Sequence, residues 1–87
     1  MKNKVLINVV VPSLMEHFEI YIPINERVSK VKELIINLVY DLSDDSFDKT
    51  LPYGLIDIDT GNIYNDNMIV RDTDIRNSKK ILLFRKF

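Results

Sequence analysis

The chain has 87 residues, 46% of them hydrophobic and 29% charged, and its formal net charge at pH 7 is −1. This length predicts one domain spanning residues 1–87, and the apolar content excludes a disordered chain. Because basic and acidic residues nearly balance, the chain lacks the broad positive field that supplies affinity for nucleic acid, so no nucleic-acid partner is expected.

Cysteine is absent from the sequence, which excludes disulfides, thiolate catalysis and cysteine-based metal sites and favours an intracellular, cytoplasmic location. The start of the chain is basic, but the apolar run behind it is only about seven residues long and ends at Pro12, so we interpret it as a strand and not as a signal peptide. No apolar stretch reaches the roughly 20 residues that cross a bilayer, and direct membrane insertion is not expected.

The first predicted element is a strand over residues 4–11, which are almost continuously apolar and rich in β-branched side chains, as in a strand with neighbours on both edges. Asn8 sets its orientation. If Asn8 faces solvent, the odd-numbered residues face the core, and Leu6 and Val10 lie beside Asn8 on the open face.

The second predicted strand covers residues 17–24, where apolar and polar side chains alternate. Pro23 cannot donate a hydrogen bond to a neighbouring strand, which predicts an edge position in the sheet. Residues 12–16 then form the turn of an N-terminal hairpin.

A helix is predicted from Val28 to Leu42, where apolar residues recur with the period of a helix. One arc of this helix is expected to pack on the sheet through Val28, Val31, Leu34, Ile35, Leu38, Val39 and Leu42. Ile36 and Tyr40 lie outside this arc. Two interpretations remain for them: cover by apolar residues of the loop at 47–53, or contact with a partner protein.

The third predicted strand covers residues 55–59, with Ile56 and Ile58 facing the core. A tight turn at 60–62 and a short return strand at 63–64 follow it. The sequence thus predicts a second hairpin after the helix.

A polar excursion at 65–78 leads to the last predicted strand, at 80–85, whose run of apolar residues is typical of a central strand. Alternation along it places Leu82 and Phe84 on the open face of the sheet. They would form a candidate protein-contact surface together with Leu6, Asn8 and Val10. The alternatives are an inverted orientation of these strands, or cover of the surface by Phe87.

No group of residues predicts catalysis, a cofactor site or a metal site. The single histidine, His17, lies on the outward side of the second predicted strand without a nucleophile beside it, so we expect it to be solvated. The only glycines, Gly54 and Gly61, are too few for a phosphate-binding loop. We interpret the aspartates of the C-terminal half as outward-facing or turn residues: Asp57, Asp59, Asp66, Asp72 and Asp74.

The order of elements, β-β-α-β-β-β, predicts an α+β protein with the ubiquitin-like β-grasp fold, in which a mixed sheet of four to five strands packs on one helix. The chain resembles ubiquitin over nearly its whole length, and residues 70–75 and 81–84 look like the stretch that leads into and forms the last ubiquitin strand. Residues 85–87 are Arg, Lys and Phe where a conjugated modifier has Gly-Gly, so neither conjugation nor sulfur-carrier chemistry is expected.

A closer resemblance is to the YukD/EsaB family of small bacterial ubiquitin-like proteins, which are associated with type VII (ESX-like) secretion systems. It rests on residues 31–42 of the predicted helix and on residues 65–75 of the polar excursion. The resemblance implies a non-enzymatic accessory or regulatory module in the bacterial cytoplasm, without a cofactor. Its partner would be a protein, such as a cytoplasmic domain of a membrane component of the secretion system. The alternative function is a β-grasp domain that binds RNA or a small ligand.

Overall fold

The computed structural model describes residues 3–44 and 46–86, which form one mixed sheet with an α-helix packed on it. The elements are β1 (Lys4–Val11), β2 (Glu16–Pro23), α1 (Val28–Leu42), β3 (Tyr53–Asp57) and β4 (Lys80–Arg85). The strand order is β2-β1-β4-β3, with β1 parallel to β4 and the two outer pairs antiparallel. The predicted α+β class and β-grasp arrangement are therefore confirmed, with four strands in the sheet.

β1 and β2 form the predicted hairpin, and a short 3-10 turn at Pro12–Leu14 connects them. The side chains of β1 alternate between the two faces of the sheet. The buried side chains under α1 are Val5, Ile7, Val9 and Val11. Leu6, Asn8 and Val10 lie half-buried on the opposite surface, which we call the open face. The predicted orientation of β1 and the edge position of β2 are confirmed.

α1 buries a narrower stripe than its sequence predicts. The buried apolar residues are Val28, Val31, Ile35 and Val39. Leu34, Leu38 and Leu42 are 38%, 39% and 60% exposed, so the prediction that they pack on the sheet is wrong. They lie on the flank of α1 opposite Ile36 and Tyr40, and Leu42 borders Leu14 and Phe18 of the edge strand β2 and its turn.

The other flank of α1 is covered by the loop that follows the helix. Ile36 and Tyr40, the second candidate contact pair, are half-buried and pack against the core. The Nζ atom of Lys49 lies 4.3 Å from the centre of the Tyr40 ring, which is close enough for a cation–π contact. This packing is what the loop-cover interpretation of these residues expects.

β3 begins and ends two residues earlier than predicted and has the opposite orientation. Leu55 is buried, whereas Ile56 lies on the open face and Ile58, beyond the strand, is 41% exposed. The prediction that Ile56 and Ile58 face the core is therefore wrong. The predicted return strand is reduced to a single bridge between Ile56 and Ile63.

Asp57 takes the inward position at the end of β3 and is only 1% exposed, so its predicted outward orientation is also wrong. The Nζ atom of Lys79 lies 2.8 Å from the Oδ2 atom of Asp57, and the backbone N–H of Asp59 donates to its Oδ1 atom. A carboxylate can be buried only when its charge and its lone pairs are satisfied in this way. These polar partners are what place Asp57, and not an isoleucine, in the interior.

β4 is a central strand, as predicted, and it buries Ile81 and Leu83 while Leu82 and Phe84 lie on the open face. The connection at 65–78 contributes Val70 and Ile75 to the core. Within the described ranges, no helix has the length and apolar character needed to cross a membrane.

Candidate functional site

The open face carries a strip of apolar side chains that crosses three strands. In the register of the sheet, Val10 of β1 lies beside Leu82 of β4, and Leu82 lies beside Ile56 of β3. Phe84 follows on β4, opposite Gly54. We call Val10, Ile56, Leu82 and Phe84 the apolar strip; all four are half-buried. The structure thus brings together three residues of the predicted contact surface, Val10, Leu82 and Phe84, and adds Ile56. Ile56 was not predicted from the sequence, because the third predicted strand has the opposite orientation.

The position of Phe84 depends on the glycine opposite it. A Cβ atom at Gly54 would lie only 2.5 Å from the Cε1 and Cζ atoms of the Phe84 ring. Because glycine has no Cβ, the ring can lie directly over the backbone of β3. The alternative in which Phe87 covers this surface concerns a residue outside the described part of the chain.

A polar row separates Leu6 from the apolar strip. Asn8 of β1 lies in register between Glu19 of β2 and Lys80 of β4. The Oδ1 atom of Asn8 is buried and has no hydrogen-bond partner within the described residues. Buried side-chain acceptors are nearly always paired, so this oxygen is an exception, although its burial keeps it out of reach of a molecule docked on the open face.

The open face is basic, although the chain as a whole is not. Alternation along the strands places Lys4, Glu19 and Lys80 on this face, and the Lys86 side chain lies near Gly54. Three lysines and one glutamate give this face a net charge of +2, against −1 for the chain. A surface of this kind complements an apolar patch surrounded by acidic residues.

A groove of about 440 Å³ continues from the Phe84 end of the apolar strip. Two of its walls are the rings of Phe47 and Tyr53, which stack with their centroids 4.8 Å apart. The Tyr53 hydroxyl donates to the backbone carbonyl of Asp48 at 2.6 Å, and burial raises the pKa of Tyr53. The groove therefore combines two buried aromatic residues with the charged residues Asp48 and Arg85.

The main cluster of ionisable groups lies away from the apolar strip and is internally paired. The Nζ atom of Lys79 lies 2.8 Å from Asp57 and 3.2 Å from Asp74, and the Tyr64 hydroxyl donates to Asp74 at 2.9 Å. The hydrogen bond from Lys79 lowers the pKa of Asp57 to about 2, and burial raises the pKa of Tyr64. Since every charge has a partner, the cluster holds the 57–79 region together and has no group poised to transfer a proton at neutral pH.

The sequence also predicts that His17 has no nucleophile beside it and that the acidic residues do not form a metal site. His17 is exposed on β2, opposite Val10 in the register of the sheet. Within residues 3–44 and 46–86, no three histidine, aspartate or glutamate side chains converge closely enough to hold a metal ion. The open face itself displays apolar side chains and lysines.

No protein-family model matches the chain, and no curated protein matches it. Solved structures do match. A chain of the MycP5-free ESX-5 inner membrane complex has a TM-score of 0.79 and 11% identity, and the match covers 97% of this chain and 21% of that chain. The present chain thus spans about a fifth of that component.

Two further structures match over nearly their whole length. The ubiquitin-like domain of EccD5 from Mycobacterium xenopi has a TM-score of 0.78 and 8% identity, with 95% of this chain and 94% of that chain covered. A chain of the toluene 4-monooxygenase HD complex with the inhibitor 4-bromobenzoate has a TM-score of 0.73 and 8% identity, with 95% and 99% covered. At these identities the similarity establishes the ubiquitin-like fold, and function must be argued from the surfaces.

Proposed function

We propose that this protein is a non-enzymatic, ubiquitin-like interaction module that serves a bacterial type VII (ESX-like) secretion system as an accessory or regulatory component of the YukD/EsaB kind. It acts in the cytoplasm and is not conjugated to other proteins. Its open face docks on a cytoplasmic domain of a membrane component of that system. The similarity to a chain of an ESX-5 inner membrane complex and to an EccD5 domain supports this assignment.

The observation that carries the docking proposal is the alignment of the apolar strip across the sheet. Val10, Leu82 and Ile56 lie side by side on three adjacent strands. A partner that covers the strip removes apolar surface from water. The surrounding lysines favour an acidic rim on that partner.

One observation favours the alternative function, RNA binding. Tyr21 is 54% exposed, and it shares the open face with Phe84 and with the lysines. Exposed aromatic rings with flanking basic residues are typical of sheets that stack unpaired bases. The small area of this aromatic surface and the chain's net charge of −1 make RNA the second candidate.

Both candidates are tested by direct binding to purified components. The cytoplasmic domains of the type VII membrane proteins from the source organism are immobilised, and binding is measured by interferometry for the wild type, for Lys80→Glu/Lys86→Glu and for Leu82→Asp/Phe84→Asp. Single-stranded RNA is titrated in parallel by fluorescence anisotropy. Asn37→Glu, on the outward side of α1, is the matched control.

We expect the wild type and the control to bind one cytoplasmic domain, and both open-face variants to bind at least about tenfold more weakly, as residues central to an interface do. Thermal melts confirm that the variants are folded. Binding that both variants retain would exclude the open face, and failure of every cytoplasmic domain to bind would exclude the secretion assignment. Binding to RNA that the lysine variant loses would establish the alternative.

A further inference from the structure

The outward flank of α1 exposes a row of three leucines. Leu34, Leu38 and Leu42 follow one another at intervals of one helical turn, and their side chains are 38%, 39% and 60% exposed. We call them the leucine row. Leu42 also borders a hollow of about 170 Å³ that it shares with Leu14 and with Phe18 of β2. The leucine row therefore lies beside the edge strand, on the side of α1 that faces away from Ile36 and Tyr40.

The strand below the leucine row is also unpartnered on its outer side. β2 pairs with β1 and is the last strand of the sheet on that side. Free strand edges and exposed apolar rows are both surfaces that proteins commonly cover with another chain. The two surfaces here are adjacent, so one partner could cover them together.

The charges along this flank of α1 are reversed relative to what the helix itself would favour. Lys30 lies in the first turn and Asp41 in the last turn, and α1 has no acidic residue in its first turn and no basic residue in its last turn. Acidic residues stabilise the N-terminal end of a helix and basic residues its C-terminal end. Neither Lys30 nor Asp41 has an ion-pair partner among the described residues, so nothing within the described part of the chain compensates for this placement.

An antiparallel copy of the same helix would compensate for it. Lys30 and Asp41 are eleven residues apart, about three helical turns, so they lie on the same side of the leucine row. Leu34 and Leu38 lie between them, and both pairs are centred on the same turn, within one residue of Ile36. A two-fold axis through that turn places Lys30 opposite Asp41 of the second copy and Leu34 opposite Leu38 of the second copy, and the reverse contacts follow by symmetry.

We propose that the leucine row is a self-association surface, on which two copies of this chain pack their α1 helices antiparallel about a two-fold axis. The apolar centre of the contact is Leu34 and Leu38, and an ion pair between Lys30 and Asp41 closes each end. The two β2 edges then face each other across the same axis. The open face lies on the other side of the sheet, so this dimer leaves it free and does not depend on the proposed docking function.

Sedimentation equilibrium from about 10 μM to about 1 mM tests the proposal, because a contact of this small size dissociates in that range. The variants are Leu38→Glu, Lys30→Glu, Asp41→Lys and the exchange variant Lys30→Glu/Asp41→Lys. Lys80→Glu on the open face is the control. Each substituted residue is exposed, and thermal melts confirm that each variant is folded.

We expect the wild type and Lys80→Glu to dimerise, and Leu38→Glu and both single charge variants to remain monomeric over the same range. The exchange variant should dimerise again, because it restores opposite charges across the axis. A wild type that stays monomeric at about 1 mM overturns the proposal. So does an exchange variant as monomeric as the single variants, since the charges would then not face one another.

Discussion

Two rows of apolar residues run along α1, and they have different surroundings. Val31, Ile35 and Val39 are buried against the sheet, whereas the three members of the leucine row are at least 38% exposed. Both rows repeat every four residues and consist of aliphatic side chains, so the periodicity of the sequence treats them alike. The width of an apolar arc therefore reflects every surface that a helix contacts, of which the sheet is only one.

The two flanks of α1 differ because the sheet and its loops are asymmetric. On the Tyr40 flank, the loop after the helix packs Phe47 and Leu51 against the core. On the leucine flank, the sheet ends at β2, and no described segment lies beyond it.

The largest effect is expected for the buried row. Ile35→Ala removes a side chain that is fully buried and leaves a cavity between α1 and the sheet, so it should lower the free energy of unfolding by about 2–5 kcal/mol. Urea denaturation followed by circular dichroism measures this. Ile35→Val, which deletes only one methyl group, is the matched control and should cost about 0.5–1.5 kcal/mol. A near-neutral Ile35→Ala would show that the buried row is misassigned.

The next largest effect is expected for the buried carboxylate of Asp57. The pKa of Asp57 is lowered to about 2, first by its hydrogen bond with Lys79. A group whose pKa is lower in the folded chain stabilises the fold above its unfolded pKa, about 4, and that contribution disappears as the pH falls toward 2. The melting temperature of the wild type should therefore fall more steeply between pH 5 and pH 2 than that of Asp57→Asn.

A second acid-sensitive group must be separated from Asp57 in that experiment. The side-chain hydrogen bond from Thr50 also lowers the pKa of Asp48. Protonation of Asp48 at low pH therefore destabilises the fold in the same direction as protonation of Asp57. Asp48→Asn removes this carboxylate, which accepts hydrogen bonds from both the side chain and the backbone N–H of Thr50, and so isolates the contribution of Asp57. If the wild type and Asp57→Asn lose stability in parallel in that background, Asp57 is not the group that carries the pH dependence.

On the open face, a smaller effect is expected from filling the space over β3. Gly54→Ala places a methyl group in contact with the Phe84 ring, and overpacking of this kind costs about 1–3 kcal/mol. In a Phe84→Ala background the same substitution should cost much less, because the two side chains compete for one space. Urea denaturation of the four proteins in this cycle measures the coupling. Equal costs in both backgrounds would mean that the ring does not lie over Gly54.

Much of the fold could be predicted because each strand and the helix carry a strong local pattern. Asn8 indicated the orientation of β1, the apolar run of β4 indicated its central position, and Pro23 indicated the edge of the sheet. β3 could not be predicted in the same way, because its inward position is held by an ion pair between Asp57 and Lys79. These two residues are 22 positions apart in the sequence, so the alternation of side chains within β3 does not reveal the pair.

Some residues of the candidate site could likewise be predicted from the sequence, and others could not. Val10, Leu82 and Phe84 were predicted to share the open face because parity within one strand is a local property. The contributions of Ile56 and Gly54 depend on how β3 aligns with β4, which only the structure specifies. A glycine within a strand is a recognised signal of close approach by another group, and it is the one clue to this contact that the sequence contained.

The smallest effect, and the one that decides the comparison of the two rows, is expected for Leu38→Ala. Leu38 is 39% exposed, so the substitution removes little buried area, and we expect a loss below about 1 kcal/mol in urea denaturation at about 1 μM protein. At about 500 μM the wild type should melt at a higher temperature than at about 1 μM, because association stabilises the folded state by mass action. Leu38→Ala should reduce this concentration dependence, whereas Ile35→Val should preserve it. A Leu38→Ala loss as large as that of Ile35→Ala at low concentration would place both rows in the core of the monomer, and the leucine row would then need no partner.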